Sequence, residues 1–315
     1  MSSLTFNNGQ RLSKTKTNRM IFYSILIAIP VIHFLIFYVY INLNSILLSL
    51  REYRLADIGG YVWDPVGFKN FTTAWSEFTA RDFLIKNSLI FLGADCLIVT
   101  PLAVLFSFYL YKKAFLSGFF KVILFMPQLL SGVILGLLFK YIASDVFLWF
   151  ADVAKIEVEG GLLDVAKTQL GATLAFNIFM GFGVNVLLFV GAMSGVNVSV
   201  VESAKIDGAS SLQELWYIIL PLIFNTVVTV VIIYISHLFT NQYNMYTLFS
   251  NGAGQVATVG YFLYVQAMES ALVAPRANLL SFPVLSALGL ILTAIILPLT
   301  MILRWLLNKY GPSVD

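Results

Sequence analysis

The sequence predicts an all-α integral membrane protein with about six transmembrane helices, and three observations support this. Hydrophobic residues make up 59% of the chain and charged residues 11%, whereas a soluble domain carries about 25% charged residues. Several apolar runs reach the ~20 residues that a helix needs to cross a bilayer core. The apolar–polar alternation of membrane barrel strands is absent from these runs. Helices are therefore predicted, because a helix satisfies its own backbone hydrogen bonds in lipid.

The spans follow one another along nearly the whole chain. The first, Met20–Ile41, comes after a basic stretch but is too long for a signal peptide and lacks a cleavage pattern, so it is predicted to be retained. The other five are Phe83–Tyr111, Phe119–Ile142, Gly171–Met193, Leu222–Thr240 and Phe282–Leu307. Residues 19–310 thus form the predicted transmembrane domain, between cytoplasmic tails at 1–18 and 311–315. Four prolines lie within these spans, Pro30, Pro101, Pro127 and Pro298, and a static kink at each is favoured over the alternative of a moving hinge.

The distribution of basic residues predicts the orientation, since Lys and Arg are enriched in cytoplasmic loops. Basic residues cluster at the ends that share one side when both termini are cytoplasmic: Arg11, Lys14, Lys16, Arg19, Lys112, Lys113, Lys121, Lys205, Arg304 and Lys309. On the opposite side, Arg51, Arg54, Lys69 and Arg81 are offset by acidic neighbours. The segments 42–82, 143–170 and 241–281 are therefore predicted to be external, the second with a short surface helix.

The most informative segment is a polar stretch between the fourth and fifth spans. Val198–Ile206 has helical spacing, and Gly208 is placed to end that helix in a left-handed turn. Ser211-x-x-Glu214 matches a capping box that starts a second helix. That helix leads through Trp216 back to the membrane. The pattern predicts a helix–turn–helix on the cytoplasmic side.

This segment resembles the EAA loop of the membrane subunits of ATP-binding-cassette importers. Seven positions fall at the spacing of that family, namely Glu202, Ala204, Asp207, Gly208, Ala209, Leu220 and Pro221, while Ser203 replaces the usual Ala. The resemblance implies the type I importer fold and an ATPase-coupling role for the loop at about 196–221. It also implies three partners: a second permease subunit (usually a different chain), a dimeric cytoplasmic ATPase that carries ATP and Mg, and an extracytoplasmic substrate-binding protein.

Weaker patterns resemble the sugar-type permeases of the same family. Val66–Phe71 resembles the Gly-Leu-x-Asn-Phe signature that follows the first span, and Phe125-Met126-Pro127 and Gly136-x-x-Phe139 resemble patterns of the third span. They imply a sugar or oligosaccharide as the transported solute.

The resemblance to maltose-type members also implies where the substrate binds. The implied contacts lie in the fourth span and after the fifth, and they are Asn177, Met180, Gly181, His237, Asn241, Gln242 and Tyr243. Asn and Gln suit sugar hydroxyls because each offers donors and an acceptor, and Tyr243 is placed to stack on a sugar ring. Interhelical hydrogen bonding remains the alternative for the polar members. We expect Asp95, a mid-membrane acid, to be paired inside the bundle, and His33 to be a helix contact.

Other function classes fit the sequence less well. The phosphate-loop motif Gly-x-x-x-x-Gly-Lys-Ser/Thr is absent. ATP hydrolysis is therefore expected on a separate subunit, and the chain is not predicted to be an enzyme. The sequence predicts no catalytic site and no metal site. It also predicts no resident cofactor and no nucleic-acid partner. An importer permease for a non-sugar solute remains an alternative, as does an ion-gradient-driven secondary transporter. The latter is less favoured because internal repeats are not evident. The predicted location is the cell membrane, as a multi-pass protein.

Overall fold

The computed structural model describes residues 8–55, 61–272 and 281–312. Among these residues, five helical stretches are long and apolar enough to span a membrane: Asn18–Ser49, Asp82–Tyr111, Gly132–Val153, Ala166–Ser194 and Phe282–Tyr310. A bent pair, Ser211–Leu222 and Phe224–Ser236, supplies a sixth if counted as one span. The predicted all-helical membrane fold with about six spans is therefore confirmed. The chain divides into two compact units, 1–74 with 281–290 and 75–280 with 291–315.

The first unit contains the first span and a small hairpin. Helix α1 (Asn8–Phe34) continues through the π-helical turn Leu35–Tyr40 into α2 (Ile41–Ser49). The helix thus begins well before the predicted start at Met20 and includes much of the predicted tail, of which residues 1–7 lie outside the described part. Strands β1 (Arg51–Leu55) and β2 (Tyr61–Pro65) pair antiparallel. Asn70, in α3 (Lys69–Thr79), donates from Nδ2 to the carbonyls of Ser49 and Arg51 at 2.9 and 2.8 Å.

The second unit is built on the second and fourth spans. The second span joins α4 (Asp82–Ala94) to α5 (Thr100–Tyr111) through the π-helical turn Asp95–Val99. The fourth span is α9 (Ala166–Ser194), and it packs along α5. An apolar cluster fills this interface and includes the fully buried Ala103, Val186, Phe189 and Met193.

The third span differs from its prediction. The sequence predicted one helix over Phe119–Ile142, but α6 ends early (Ser117–Leu129) and a new helix starts as α7 (Gly132–Tyr141). Pro127 lies inside α6 and weakens the turn before it, because it lacks an N–H and its ring crowds that turn. The break itself comes after Leu129, where Leu130 and Ser131 adopt extended backbone. Helix α7 then runs through Ile142–Val146 into α8 (Phe147–Val153). The short surface helix predicted within 143–170 is thus α8, which continues the third span.

The fifth span is bent rather than straight. It follows α10 (Val198–Ile206) and consists of α11 (Ser211–Glu214), the π-helical turn Leu215–Ile219, α12 (Leu220–Leu222) and α13 (Phe224–Ser236), with a bend of 68° at Ile223. The chain continues through α14 (Met245–Phe249), a 3₁₀ turn at Gly254–Val256, and α15 (Val259–Leu272) to the last span, α16 (Phe282–Tyr310).

Two prolines follow π-helical turns. Pro101 comes two residues after Asp95–Val99, and Pro221 comes two residues after Leu215–Ile219. A wider π turn absorbs the hydrogen bond that a proline cannot donate, so the helix continues past it. In the first case the hydroxyl of Thr100 donates to the Asp95 carbonyl at 2.9 Å. Pro101 therefore lies within a continuous second span.

Candidate functional site

Helix α10 is closed at both ends by local hydrogen bonds. At its start, Oδ1 of Asn197 accepts from the Ser199 amide at 3.0 Å. At its end, the Ala209 amide donates to the Ala204 carbonyl at 3.0 Å and the Gly208 amide to the Lys205 carbonyl at 3.1 Å. These two bonds form a Schellman motif, whose turn residue must adopt a left-handed conformation. Gly208 has φ +85°, so the predicted left-handed turn is confirmed.

The seven residues of the predicted coupling pattern divide between two faces. Ala204 is buried together with Val201, which belongs to the apolar cluster of α5 and α9. Glu202, Asp207 and Gly208 are exposed. The remaining members, Ala209, Leu220 and Pro221, are partly buried on the way back to the bundle. The segment is thus anchored on one side and open on the other.

The open side carries apolar as well as charged groups. The side chains of Ile206 and Leu212 are 86% and 65% exposed, and they lie in the same helix–turn–helix as Glu202 and Asp207. An exposed apolar patch rimmed by polar residues is typical of a surface that binds another protein.

The capping box begins one residue earlier than predicted. Ser210 accepts from the Gln213 amide, and Oε1 of Gln213 accepts from the Ser210 amide at 2.8 Å. The sequence predicted Ser211 and Glu214 for these roles. Glu214 is instead 1% exposed, and its Oε2 accepts from Nζ of Lys112 at 2.7 Å. The sequence analysis missed this pair, because no local pattern relates two residues that lie 102 positions apart.

A second polar group lies inside the bundle, where the second and fourth spans meet. Asn177 donates from Nδ2 to Oδ1 of Asp95 at 2.9 Å, and both residues are buried. The expected pairing of Asp95 inside the bundle is therefore confirmed. Met180 and Gly181 follow one turn later on the same side of α9. Their carbonyls accept from Gln128 at 3.1 Å and from Asn185 at 2.7 Å.

The predicted substrate contacts after the fifth span differ in their exposure and in their hydrogen bonds. His237 ends α13 with an exposed side chain. Oδ1 of Asn241 accepts from the Tyr243 amide at 2.9 Å. Oε1 of Gln242 is buried without a hydrogen-bond partner in the described part of the chain. An unpaired buried acceptor is uncommon in folded proteins, so Gln242 is the member with a free hydrogen-bonding group.

Tyr243 is not open to a ligand in this conformation. It is 2% exposed, and its ring centre lies 4.5 Å from that of Phe91. Stacking on a sugar, as predicted, would require the ring to leave this contact. Burial, followed by the nearby charge of Asp95, raises the pKa of Tyr243. The hydroxyl therefore stays protonated.

The second span contacts the segment after the fifth span near its start and the helix–turn–helix near its end. Near the start of the second span, Asn87 donates to the carbonyls of Gln255 and Ala257 at 2.8 and 3.0 Å, and the Val259 amide donates to Ser88. Lys112, which holds Glu214, lies just after the end of the same span. The two segments therefore lie at opposite ends of the second span.

Comparison with curated proteins finds relatives among transport permeases. The chain is 26% identical over 162 residues to a probable starch degradation products transport system permease protein of Thermoanaerobacterium thermosulfurigenes, and that match covers 50% of this chain and 54% of the relative. It is 25% identical over 300 residues to a polygalacturonan/rhamnogalacturonan transport system permease protein of Bacillus subtilis, with 89% and 85% covered. It is 24% identical over 283 residues to the arabinooligosaccharides transport system permease protein of the same organism, with 86% and 84% covered.

Solved structures share the fold. One chain of a bacterial alginate ABC transporter, solved in complex with an alginate pentasaccharide-bound periplasmic protein, superposes with a TM-score of 0.73 at 17% identity, over 95% of this chain and 98% of that one. A chain from a second structure of a bacterial ABC transporter, one that imports alginate, gives a TM-score of 0.72 at 20% identity. The predicted type I importer fold is confirmed.

The family model for binding-protein-dependent transport system inner membrane components matches residues 99–315, which is more than half of the chain. The matched range includes the helix–turn–helix, Asn177 and the last span. The chain is therefore a multi-pass membrane protein that belongs to the family of binding-protein-dependent transport system inner membrane components.

Proposed function

We propose that this chain is a transmembrane subunit of an ATP-driven importer, which moves a sugar or oligosaccharide delivered by an extracytoplasmic binding protein. It would lie in the cell membrane with both termini in the cytoplasm. ATP and Mg would bind to a separate dimeric ATPase, and a second permease subunit, a different chain, would complete the pathway. Family membership supports the transport role, and the names of the relatives with high coverage support a carbohydrate.

The observation that carries the proposal is the helix–turn–helix at Val198–Leu222. Its inner face is fixed to the bundle by Val201 and Ala204, while its outer face exposes Glu202, Ile206 and Asp207. A helix anchored on one side, with an exposed face that mixes apolar and charged residues, suits docking to a second protein better than a mobile loop would. We assign this face to the ATPase.

The substrate is proposed to pass beside the Asp95–Asn177 pair. Asn177, Met180 and Gly181 lie on one face of α9, and Gln242 and Tyr243 follow the fifth span. The unpaired Oε1 of Gln242 can accept a hydrogen bond from a sugar hydroxyl. At the opposite end of the second span from the helix–turn–helix, the segment 241–281 would contact the binding protein together with 42–82. Residues 56–60 and 273–280 of these segments lie outside the described part.

Two alternatives have different requirements. A permease for a non-sugar solute would need the same partners but would not respond to a carbohydrate. A secondary transporter would need no ATPase and would be driven by an ion gradient. The driving force and the need for an ATPase therefore distinguish a secondary transporter from the proposal. The transported solute distinguishes a permease for a non-sugar solute.

The first prediction is that the chain alone inserts into vesicles but does not transport. The coupling pattern occurs once in the sequence, whereas a dimeric ATPase offers two docking sites, so the pathway would need a second membrane subunit as well as the ATPase. Uptake of radiolabelled oligosaccharide is expected only when the second permease, the ATPase, the binding protein and ATP are all present. Omission of each component in turn is the control. Uptake by the chain alone under a proton or sodium gradient would overturn the proposal in favour of a secondary transporter.

The second prediction separates a structural from a substrate-binding role for Asn177. Asn177→Ala leaves Oδ1 of Asp95 without its partner, so we expect a loss of about 1–3 kcal/mol in stability and lower uptake. In the double variant Asp95→Ala/Asn177→Ala no carboxylate is left unpaired, so stability should recover. If Asn177 also contacts the sugar, uptake stays low. Thermal unfolding in detergent and uptake by the complex measure the two effects. Full recovery of uptake would assign Asn177 to helix packing alone.

Gln242→Ala is the matched comparison, since it breaks no side-chain hydrogen bond in the described structure. Stability should not fall. Loss of one sugar hydrogen bond, about 0.5–1.5 kcal/mol, should raise the KM for uptake by about two- to twelvefold. An unchanged KM would remove Gln242 from the substrate site.

A further inference from the structure

The ion pair between the partly buried Lys112 and the buried Glu214 is not explained by the docking surface or by the substrate site. Nζ of Lys112 lies 2.7 Å from Oε2 of Glu214, and the two side chains are 24% and 2% exposed. The other carboxylate oxygen, Oε1, has no hydrogen-bond partner in the described part of the chain. The carboxylate therefore depends on Lys112 alone.

The pair joins two elements with different roles. Lys112 directly follows α5, so it belongs to the end of the second span, and its Nζ also lies 5.6 Å from the centre of the Phe108 ring. Glu214 is the last residue of α11, and α11 directly follows the turn that contains Gly208. Phe108 and Leu215, beside the two partners, are both buried in the same apolar cluster. The ion pair thus closes that cluster where the helix–turn–helix meets the second span.

Stability alone does not account for a charge pair at this place. Removing the Glu214 carboxylate from water is costly, and an apolar residue of similar volume often serves a buried position as well or better. An ion pair differs from apolar contacts in one respect. Apolar surfaces can slide past one another, whereas a buried carboxylate with one partner must keep that partner within hydrogen-bond distance.

We propose that Lys112 and Glu214 are positioning residues that link movement of the helix–turn–helix to the end of the second span. A displacement of α11 then moves the end of α5, and with it the span that carries Asp95 and contacts Asn177. The link runs from the docking face to the polar group in the bundle through one ion pair. This inference rests on the proposed function, since it assumes that the helix–turn–helix is displaced by an ATPase.

The test uses the complete complex of both permeases, the ATPase and the binding protein in vesicles. The variants are Glu214→Gln, Lys112→Met and the exchange Lys112→Glu/Glu214→Lys. We expect each single variant to hydrolyse ATP but to transport about tenfold less sugar per ATP, which is within the usual range of coupling between sites. The exchange should recover most of the parent ratio, because it restores the pair with reversed charges. Lys113→Met is the matched control, since it removes the same charge from an exposed neighbour.

The outcomes separate this inference from the proposed function. A parent complex without ATP-driven uptake sinks the proposed function. A working parent with single variants at the parent ratio sinks the link. The link also fails if uptake falls only in proportion to the amount of assembled complex and the exchange restores nothing, because the pair is then structural.

Hydrogen exchange on the purified chain tests the link without transport. In the parent, amides of residues 198–214 and of the last turn of α5 should exchange at matching rates, because the two elements open together. In Glu214→Gln, exchange of residues 198–214 should become faster than that of α5. Identical patterns in parent and variant would overturn the link whether or not the complex transports.

Discussion

Gly208→Val is expected to abolish most ATP-driven uptake while the chain still inserts and assembles. Gly208 has φ +85°, and a side chain there would meet nothing within 4 Å. The cost therefore comes from the backbone, since a residue with a Cβ pays ~1–2 kcal/mol in a left-handed conformation and a β-branched one more. Relief of that strain breaks the Schellman bonds of Ala209 and Gly208, and the outer face loses its fixed position. We expect uptake to fall by about tenfold or more, at ~1.4 kcal/mol for each factor of ten.

The measurement is oligosaccharide uptake by the reconstituted complex, together with the ATPase rate with and without loaded binding protein. Gly118→Val is the matched control, because Gly118 also has open space around it but lies in α6 without a positive φ. Gly208→Asn should retain more uptake than Gly208→Val, because Asn tolerates a left-handed conformation better. Normal uptake with Gly208→Val would remove the docking role from this turn.

The helix–turn–helix shows which features a sequence encodes locally. Gly208 and the spacing of Val198–Ile206 predicted both the helix and its left-handed end, because the bonds that close them lie within six residues. The capping box was misplaced by one residue because Ser210 and Ser211 are both competent caps, each with an acceptor side chain three residues later. Tertiary burial decided between them, since Glu214 is drawn to Lys112 and Gln213 is left at the surface.

The bundle shows which features a sequence does not encode locally. Hydropathy located the second, fourth and sixth spans closely, but it did not show that the third is broken after Pro127 or that the fifth bends at Ile223. Around Ile223 the residues stay apolar, so hydropathy carries no signal there, whereas Pro127 and Ser131-Gly132 beside the third-span break were signals that the hydropathy reading passed over. The partner of Asp95 and the burial of Tyr243 against Phe91 also depend on which spans meet. The family pattern named Asn177 and Tyr243 without giving these contacts.

Gly183→Val is expected to disrupt the packing of α6 on α9. Gly183 is buried at their contact, and an added Cβ would overlap the backbone carbonyl oxygen of Leu124. A backbone atom cannot rotate away as a side chain can, so α6 must move as a whole. Small residues allow such close approach between membrane helices, and overpacking typically costs about 1–3 kcal/mol, occasionally more. The displacement would also strain the bond from Gln128 to the Met180 carbonyl.

A second glycine of the same helix isolates this effect. Gly191 lies in α9 two turns further on, is exposed, and has nothing within 4 Å of an added Cβ. Gly191→Val therefore makes the same chemical change in the same helix, with the same change in helix propensity. It does not create an overlap with a backbone atom. Thermal unfolding in detergent should show a clear loss of stability for Gly183→Val and little change for Gly191→Val. Equal stability of the two variants would mean that α6 does not approach α9 this closely. The broken third span would then have to pack elsewhere, because Leu124 and Gly183 cannot be separated without moving α6.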